Sequence, residues 1–117
     1  MIGQLLIGLI AVLHVYILVL EMFLWDKPYG LKAFGNSLEK AQLTKVLAQN
    51  QGLYNGFLAA GLFWSLLAPA TYAVALANFF LGCVLVAGIY GGLTASKKII
   101  YIQAVPALIA LITVHFF

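Results

Sequence analysis

The chain has 117 residues, of which 65% are hydrophobic and 8% charged, with a formal net charge of +3. A soluble domain is nearer half apolar and a quarter charged, so this composition excludes an ordinary water-soluble fold and points to a lipid bilayer as the main solvent. The positive charge does not imply a nucleic-acid partner, because there is no arginine and the six lysines lie between long apolar runs.

The first apolar run begins near Ile2 and continues to Trp25. It is longer than the roughly 7 to 15 residues of a signal-peptide core, lacks a basic leader and has no small-residue cleavage site, so it is expected to remain in the protein as a span. A hydrocarbon core about 30 Å thick takes roughly 20 apolar residues in a helix. Four segments meet that need, at residues 3–25, 51–67, 72–93 and 99–117. The fold class expected is therefore an all-α integral membrane protein, a four-transmembrane-helix bundle forming a single membrane domain over residues 1–117.

Between the first two spans, Asp26-Lys27-Pro28-Tyr29-Gly30 has the composition of a turn. From Asn36 onward the sequence reads as a short cytoplasmic helix that Asn36 or Ser37 can cap, with Glu39 in its first turn. Leu38, Leu43, Val46 and Leu47 give that helix an apolar face suited to lipid headgroups, unless the face is solvated. The second span carries the most polar residues and is either separate from this helix or continuous with it. Pro69 marks a tight turn that makes spans two and three antiparallel neighbours. Lys27, Lys32, Lys40, Lys45, Lys97 and Lys98 all fall in the loops after spans one and three, which lie on one side of a four-span protein. The positive-inside rule then places those loops in the cytoplasm and both termini outside, in the cell (inner) membrane.

Glu21 is the residue of greatest interest, since a carboxylate in a span costs about 2 to 3 kcal/mol at the bilayer centre and usually faces the bundle interior. Snorkelling to the nearby interface is the alternative. Counted inward from the cytoplasmic ends, Glu21, Gln51, Asn55, Tyr90, Tyr101 and Gln103 share one depth, with Asn50 and Tyr54 on an adjoining stripe of span two. Gly52, Gly56, Gly88, Gly91 and Gly92 allow close backbone approach at that level. Such a layer forms either a polar pocket open to the cytoplasm or interhelical hydrogen bonds that hold the spans together. His14 lies seven residues before Glu21, on the same helix face and about 10 Å deeper, so one bound molecule could touch both. An interior histidine bonded to a neighbouring helix is the simpler reading.

Trp25, Tyr29, Tyr72, Tyr101, Phe116 and Phe117 mark span ends, as an aromatic belt does, and Trp25 borders the polar layer. Asn78 and Thr113 are read as interhelical bonds. No metal is expected, because His14, Glu21 and His115 lie at three depths without paired spacing. No cofactor is expected either: the single Cys83 sits in an apolar run, and there is no phosphate-binding glycine loop or nucleophile elbow.

Glu-Met-Phe-Leu-Trp at 21–25 with Asn-Gln-Gly-Leu-Tyr-Asn-Gly-Phe at 50–57 resembles a family of small bacterial membrane proteins classed as a domain of unknown function. The resemblance covers nearly the whole chain and implies four spans and a polar signature joining spans one and two, with no activity. In size and in its span-one carboxylate the chain is also similar to the small multidrug resistance exporters. It departs from them in the depth of Glu21, the amide-rich start of span two and the strong lysine bias. Three functions are compatible with these features. In the first, Glu21 and His14 are acid–base groups, and Gln51, Tyr54, Asn55, Asn50, Tyr90, Gln103 and Trp25 bind an apolar or lipid-like small molecule. The second is a proton-coupled transporter, which at four helices needs a homo-oligomer, with Glu21 as the coupling site. The third is a membrane-complex subunit or assembly factor that packs a partner through glycines of span three, Gly82, Gly88, Gly91 and Gly92.

Overall fold

A computed structural model describes residues 1–116, and among them the regular secondary structure is all helical. In chain order the elements are α1 (Ile2–Met22), α2 (Pro28–Phe34), α3 (Leu38–Leu67), α4 (Ala70–Thr94), a π-helical segment (Ile100–Ala104) and α5 (Val105–Phe116). Two of them, α1 and α4, are long and apolar enough to cross a membrane. The run Ile100–Phe116 is apolar but shorter, and α3 combines a polar first half with an apolar second half. The last residue assigned to the fourth span and to the aromatic belt, Phe117, lies outside the described residues.

Local chemistry sets the boundaries. Pro28 opens α2 at its first turn, where a missing N–H leaves no hydrogen bond unmade. Gly35 closes it at φ 67°, a left-handed geometry that glycine adopts without a Cβ penalty. The Gly35 and Asn36 amides both donate to the Leu31 carbonyl there. Of the two caps the sequence offers for the next helix, Ser37 is the one in place: its Oγ accepts from the Lys40 amide at 3.1 Å. The helix then runs unbroken for 30 residues, so the expected cytoplasmic helix and the second span are one element. Polarity changes along this stretch while helix propensity does not, which is why composition left its continuity open. Pro69 separates α3 from α4 and caps α4, its carbonyl accepting from the Tyr72 and Ala73 amides.

Backbone contacts divide the chain into two compact units, one of Met1–Val12 with the chain from Leu58 onward and one of Leu13–Phe57. The first unit holds the apolar core, built on Ile10, Leu62, Leu81, Val84, Ala107 and Ala110. Small residues let its helices meet. A Cβ on Gly88 of α4 would stand 2.5 Å from the Ala104 amide nitrogen, and one on Gly92 would collide with the Ile100 side chain. The π-helical segment therefore lies directly against the glycine face of α4. Its wide turn, closed by the Val105 amide on the Ile100 carbonyl, comes just before Pro106, which has no N–H for a regular ladder. Of the two polar groups read as interhelical bonds, Asn78 makes one, its Oδ1 lying 2.7 Å from His115 Nε2. Thr113 instead donates to Ile109 of its own helix.

The second unit joins the end of α1, all of α2 and the first part of α3. Gly30 of α2 fits beneath the Leu24 carbonyl so closely that any side chain there would overlap the backbone. The Trp25 ring packs on Phe34, with centroids 4.8 Å apart, and its indole N–H donates to Thr44 Oγ1 at 3.1 Å. Lys45 Nζ of α3 pairs with Asp26 Oδ2 at 3.0 Å. The phenols of Tyr16 and Tyr29 are hydrogen-bonded, tying α2 back along α1 about 9 Å before that helix ends.

Candidate functional site

Within the second unit α1 brings Glu21, and α3 brings Asn55, to one point. The local sequence Gly52-Leu53-Tyr54-Asn55-Gly56 supplies the means, since small residues four apart clear a strip on which another helix can lie. A Cβ on Gly52 would stand 2.6 Å from Met22 Cγ and 3.1 Å from Glu21 Cβ; one on Gly56 would stand 2.7 Å from Leu18 Cδ1. Between these two glycines the Asn55 Nδ2 donates to Glu21 Oε1 at 2.6 Å. Glu21 is 2% exposed and Asn55 8%. Glu21 has turned inward and does not snorkel.

Across the described residues Lys45–Asp26 is the ion pair present, so Glu21 is held by a neutral amide and not by a cation. Such a carboxyl can give or take a proton, or accept a hydrogen bond from a polar headgroup, without first breaking a salt bridge. His14 is wholly buried seven residues earlier on α1. On α3, Gln51 precedes Asn55 by one turn and is exposed. Asn50 and Tyr54 are also exposed, and the Tyr54 ring packs on Phe57, with centroids 5.8 Å apart. In the other unit Tyr90 is exposed on α4, and Gln103 is half-buried in the π-helical segment. Trp25 is occupied by Thr44 and Phe34, which makes it a fastener of the loop after α1.

Thr44, Tyr16 and the Asp26–Lys45 pair also shape this region; in the sequence Asp26 stands out only as a turn residue and Lys45 only as a loop cation, with nothing to pair them. Trp25–Thr44 and Asp26–Lys45 each join residues 19 apart across a turn and a short helix. Such pairs have no local spacing to betray them. A hydrogen bond and charge from Lys45, offset in part by desolvation, hold the Asp26 carboxyl below the ordinary range. A cleft of about 210 Å³ lies elsewhere, in the first unit, between Gly3, Ile7, Ser65, Ala77, Thr113 and Val114. Two of its polar side chains are bonded to their own helices, Ser65 to the Leu62 carbonyl and Thr113 to that of Ile109, and Gln4 also lines it.

A family model described as "Protein of unknown function (DUF1304)" matches residues 8–115. The chain belongs to the DUF1304 family. It is also 33% identical over 110 residues to "Uncharacterized protein YpaA" of Lactococcus lactis subsp. lactis (strain IL1403), an alignment covering 92% of each chain. No solved structure matches. The DUF1304 match takes in His14, Glu21, Gln51 and Asn55 together with the helices that carry them. The small bacterial family that the two sequence signatures resemble is thus the family to which the chain belongs.

Proposed function

We propose that this chain is a four-span integral membrane protein in which the Glu21–Asn55 pair receives the polar end of an apolar or lipid-like molecule from the cytoplasmic leaflet. The observation that carries this reading is the buried carboxyl of Glu21, bonded to one neutral amide at 2.6 Å and to no cation. An ionisable group kept inside an apolar span is costly and is ordinarily tied to binding or proton transfer. His14, on the same face two turns deeper, is the second proton-handling group, and Gln51, one turn from Asn55, is the polar group at the entrance.

Support for the membrane setting comes from the outer surfaces of the helices. Leu5, Leu9, Val12, Tyr16 and Val19 recur every three or four residues on α1, all at least 37% exposed, and form an apolar stripe suited to acyl chains. Only a third of the most apolar stretch of α1 is buried, whereas the core helix of a soluble protein is mostly buried. In this reading the apolar second half of α3 and the run Ile100–Phe116 complete four spans. The lysine-bearing loops then face the cytoplasm, with both termini outside.

Native mass spectrometry of the protein released from its own membranes tests the proposal. Wild type is expected to retain an amphipathic molecule that Glu21→Gln and Asn55→Ala release, with helix content unchanged in all three. Wild type without a bound molecule, or variants that retain it equally, would leave Glu21 and Asn55 as a bond between helices and nothing more.

A further inference from the structure

The first part of α3 has two faces with the same period. Its inward face repeats every seven residues through Ala41, Ala48 and Asn55, exposed by 0%, 4% and 8%. On the opposite side Leu43, Val46, Leu53 and Phe57 follow one another at steps of three, seven and four, each between 43% and 80% exposed. Asn50, also exposed, fills the one step left open, so that the spacing 43, 46, 50, 53, 57 alternates three and four. That is the a/d pattern of a coiled-coil seam, with asparagine at a central a position. Leu47 and Tyr54, 70% and 62% exposed, flank it at successive e positions.

We infer that this face is where a second copy of the chain docks, the two α3 helices running parallel about a two-fold axis with Asn50 opposite Asn50. Three observations select a second copy. Parallel pairing sets each a and d residue against itself, and the face from Gln42 to Phe57 carries no charge on its a, d, e or g positions, so two cationic chains meet there without repulsion. Lys45, which lies off the seam, is already paired with Asp26. The exposed apolar side chains offer on the order of 700 Å² per copy, close to the roughly 800 Å² per partner of a stable interface. The stripe also begins in the lysine-bearing segment and ends in the apolar one, within one unbroken helix. Acyl chains can cover only its apolar end, whereas an identical helix of the same orientation matches both. Headgroup contact, the sequence expectation for Leu43, Val46 and Leu47, requires this segment to lie flat on the surface, which a helix continuing into a span does not do. The inference needs a uniform orientation in the membrane but no bound ligand.

Cysteine cross-linking in native membranes decides it, in a Cys83→Ser background so that the introduced thiol is the only one. Val46→Cys, Asn50→Cys and Leu53→Cys are expected to form dimers on mild oxidation, while Ala48→Cys at the inward position forms none. Leu47→Glu is expected to abolish the cross-link at position 50 with helix content retained. Absence of cross-linking at all three seam positions, or equal cross-linking at position 48, overturns the inference. It is equally overturned if a fluorophore at position 46 is buried by anionic phosphatidylglycerol vesicles while the chain remains a monomer, because lipid alone then covers the face.

Discussion

At the scale of single residues the protein turns on Asn55, which places an amide where Glu21 needs a donor. Asn55→Ala leaves the buried carboxyl without its partner, and we expect a loss of about 1 to 3 kcal/mol in stability, read as a lower unfolding midpoint in detergent. Glu21→Gln, which can still accept from Asn55 through its carbonyl, is expected to fold with a smaller loss. Asp26 makes a different prediction, in acid. Its carboxyl is held below the unfolded value of about 3.9 by Lys45, so its contribution to folding is complete above that pH and disappears as pH falls through the lower folded value. A carboxyl titration followed by NMR should show Asp26 below the ordinary range, and Lys45→Met should return it toward that range. An unchanged Asp26 titration in the variant would show that Lys45 is not the cause. Glu21 was legible in the sequence because a carboxylate stands out in an apolar run. Depth alone could not sort the side chains around it: Asn55 faces inward while Asn50, Gln51 and Tyr54 are exposed, since each residue turns a helix by about 100° and a shared level does not fix a shared face.

At the scale of elements, close approach depends on particular glycines. A Cβ on Gly88 would meet the Ala104 backbone at 2.5 Å, and backbone cannot move aside as a side-chain tip can. Gly82, on the same helix, has nothing within 4 Å. We expect Gly88→Ala to lower stability by about 1 to 3 kcal/mol and Gly82→Ala to be tolerated, a contrast that thermal unfolding of the two variants checks directly. Gly88 and Gly92 are thereby occupied within the chain, against Ala104 and Ile100, and are not free to pack a foreign subunit as the sequence allowed. The turn at Pro69, the cap at Ser37 and the long apolar helices were all readable, because each rests on local chemistry. The π-helical segment was not, since its wide turn depends on Pro106 and on packing against Gly88 and Gly92, which come together only in the folded chain. The continuity of α3 was open in the sequence, where a polar arm joins an apolar segment without a helix breaker.

At the scale of the molecule, the sequence pointed to an all-helical chain with four spans, and the regular structure of the described residues is all helical, with two helices long and apolar enough to cross a membrane. The chain carries few charges and much outward apolar surface; the proposed topology turns the lysine-bearing loops to the cytoplasm. The family match covers residues 8–115. The proposed function rests on a smaller feature, one buried carboxyl and the amide that holds it. The most direct test is a structure of the protein in lipid nanodiscs at a resolution that shows side chains. We predict elongated density ending within hydrogen-bonding distance of Glu21 or Asn55, with Gln51 beside it. Glu21 and Asn55 sealed between close-packed helices, with lipid density nowhere near them, would contradict the account and reduce the pair to a structural bond.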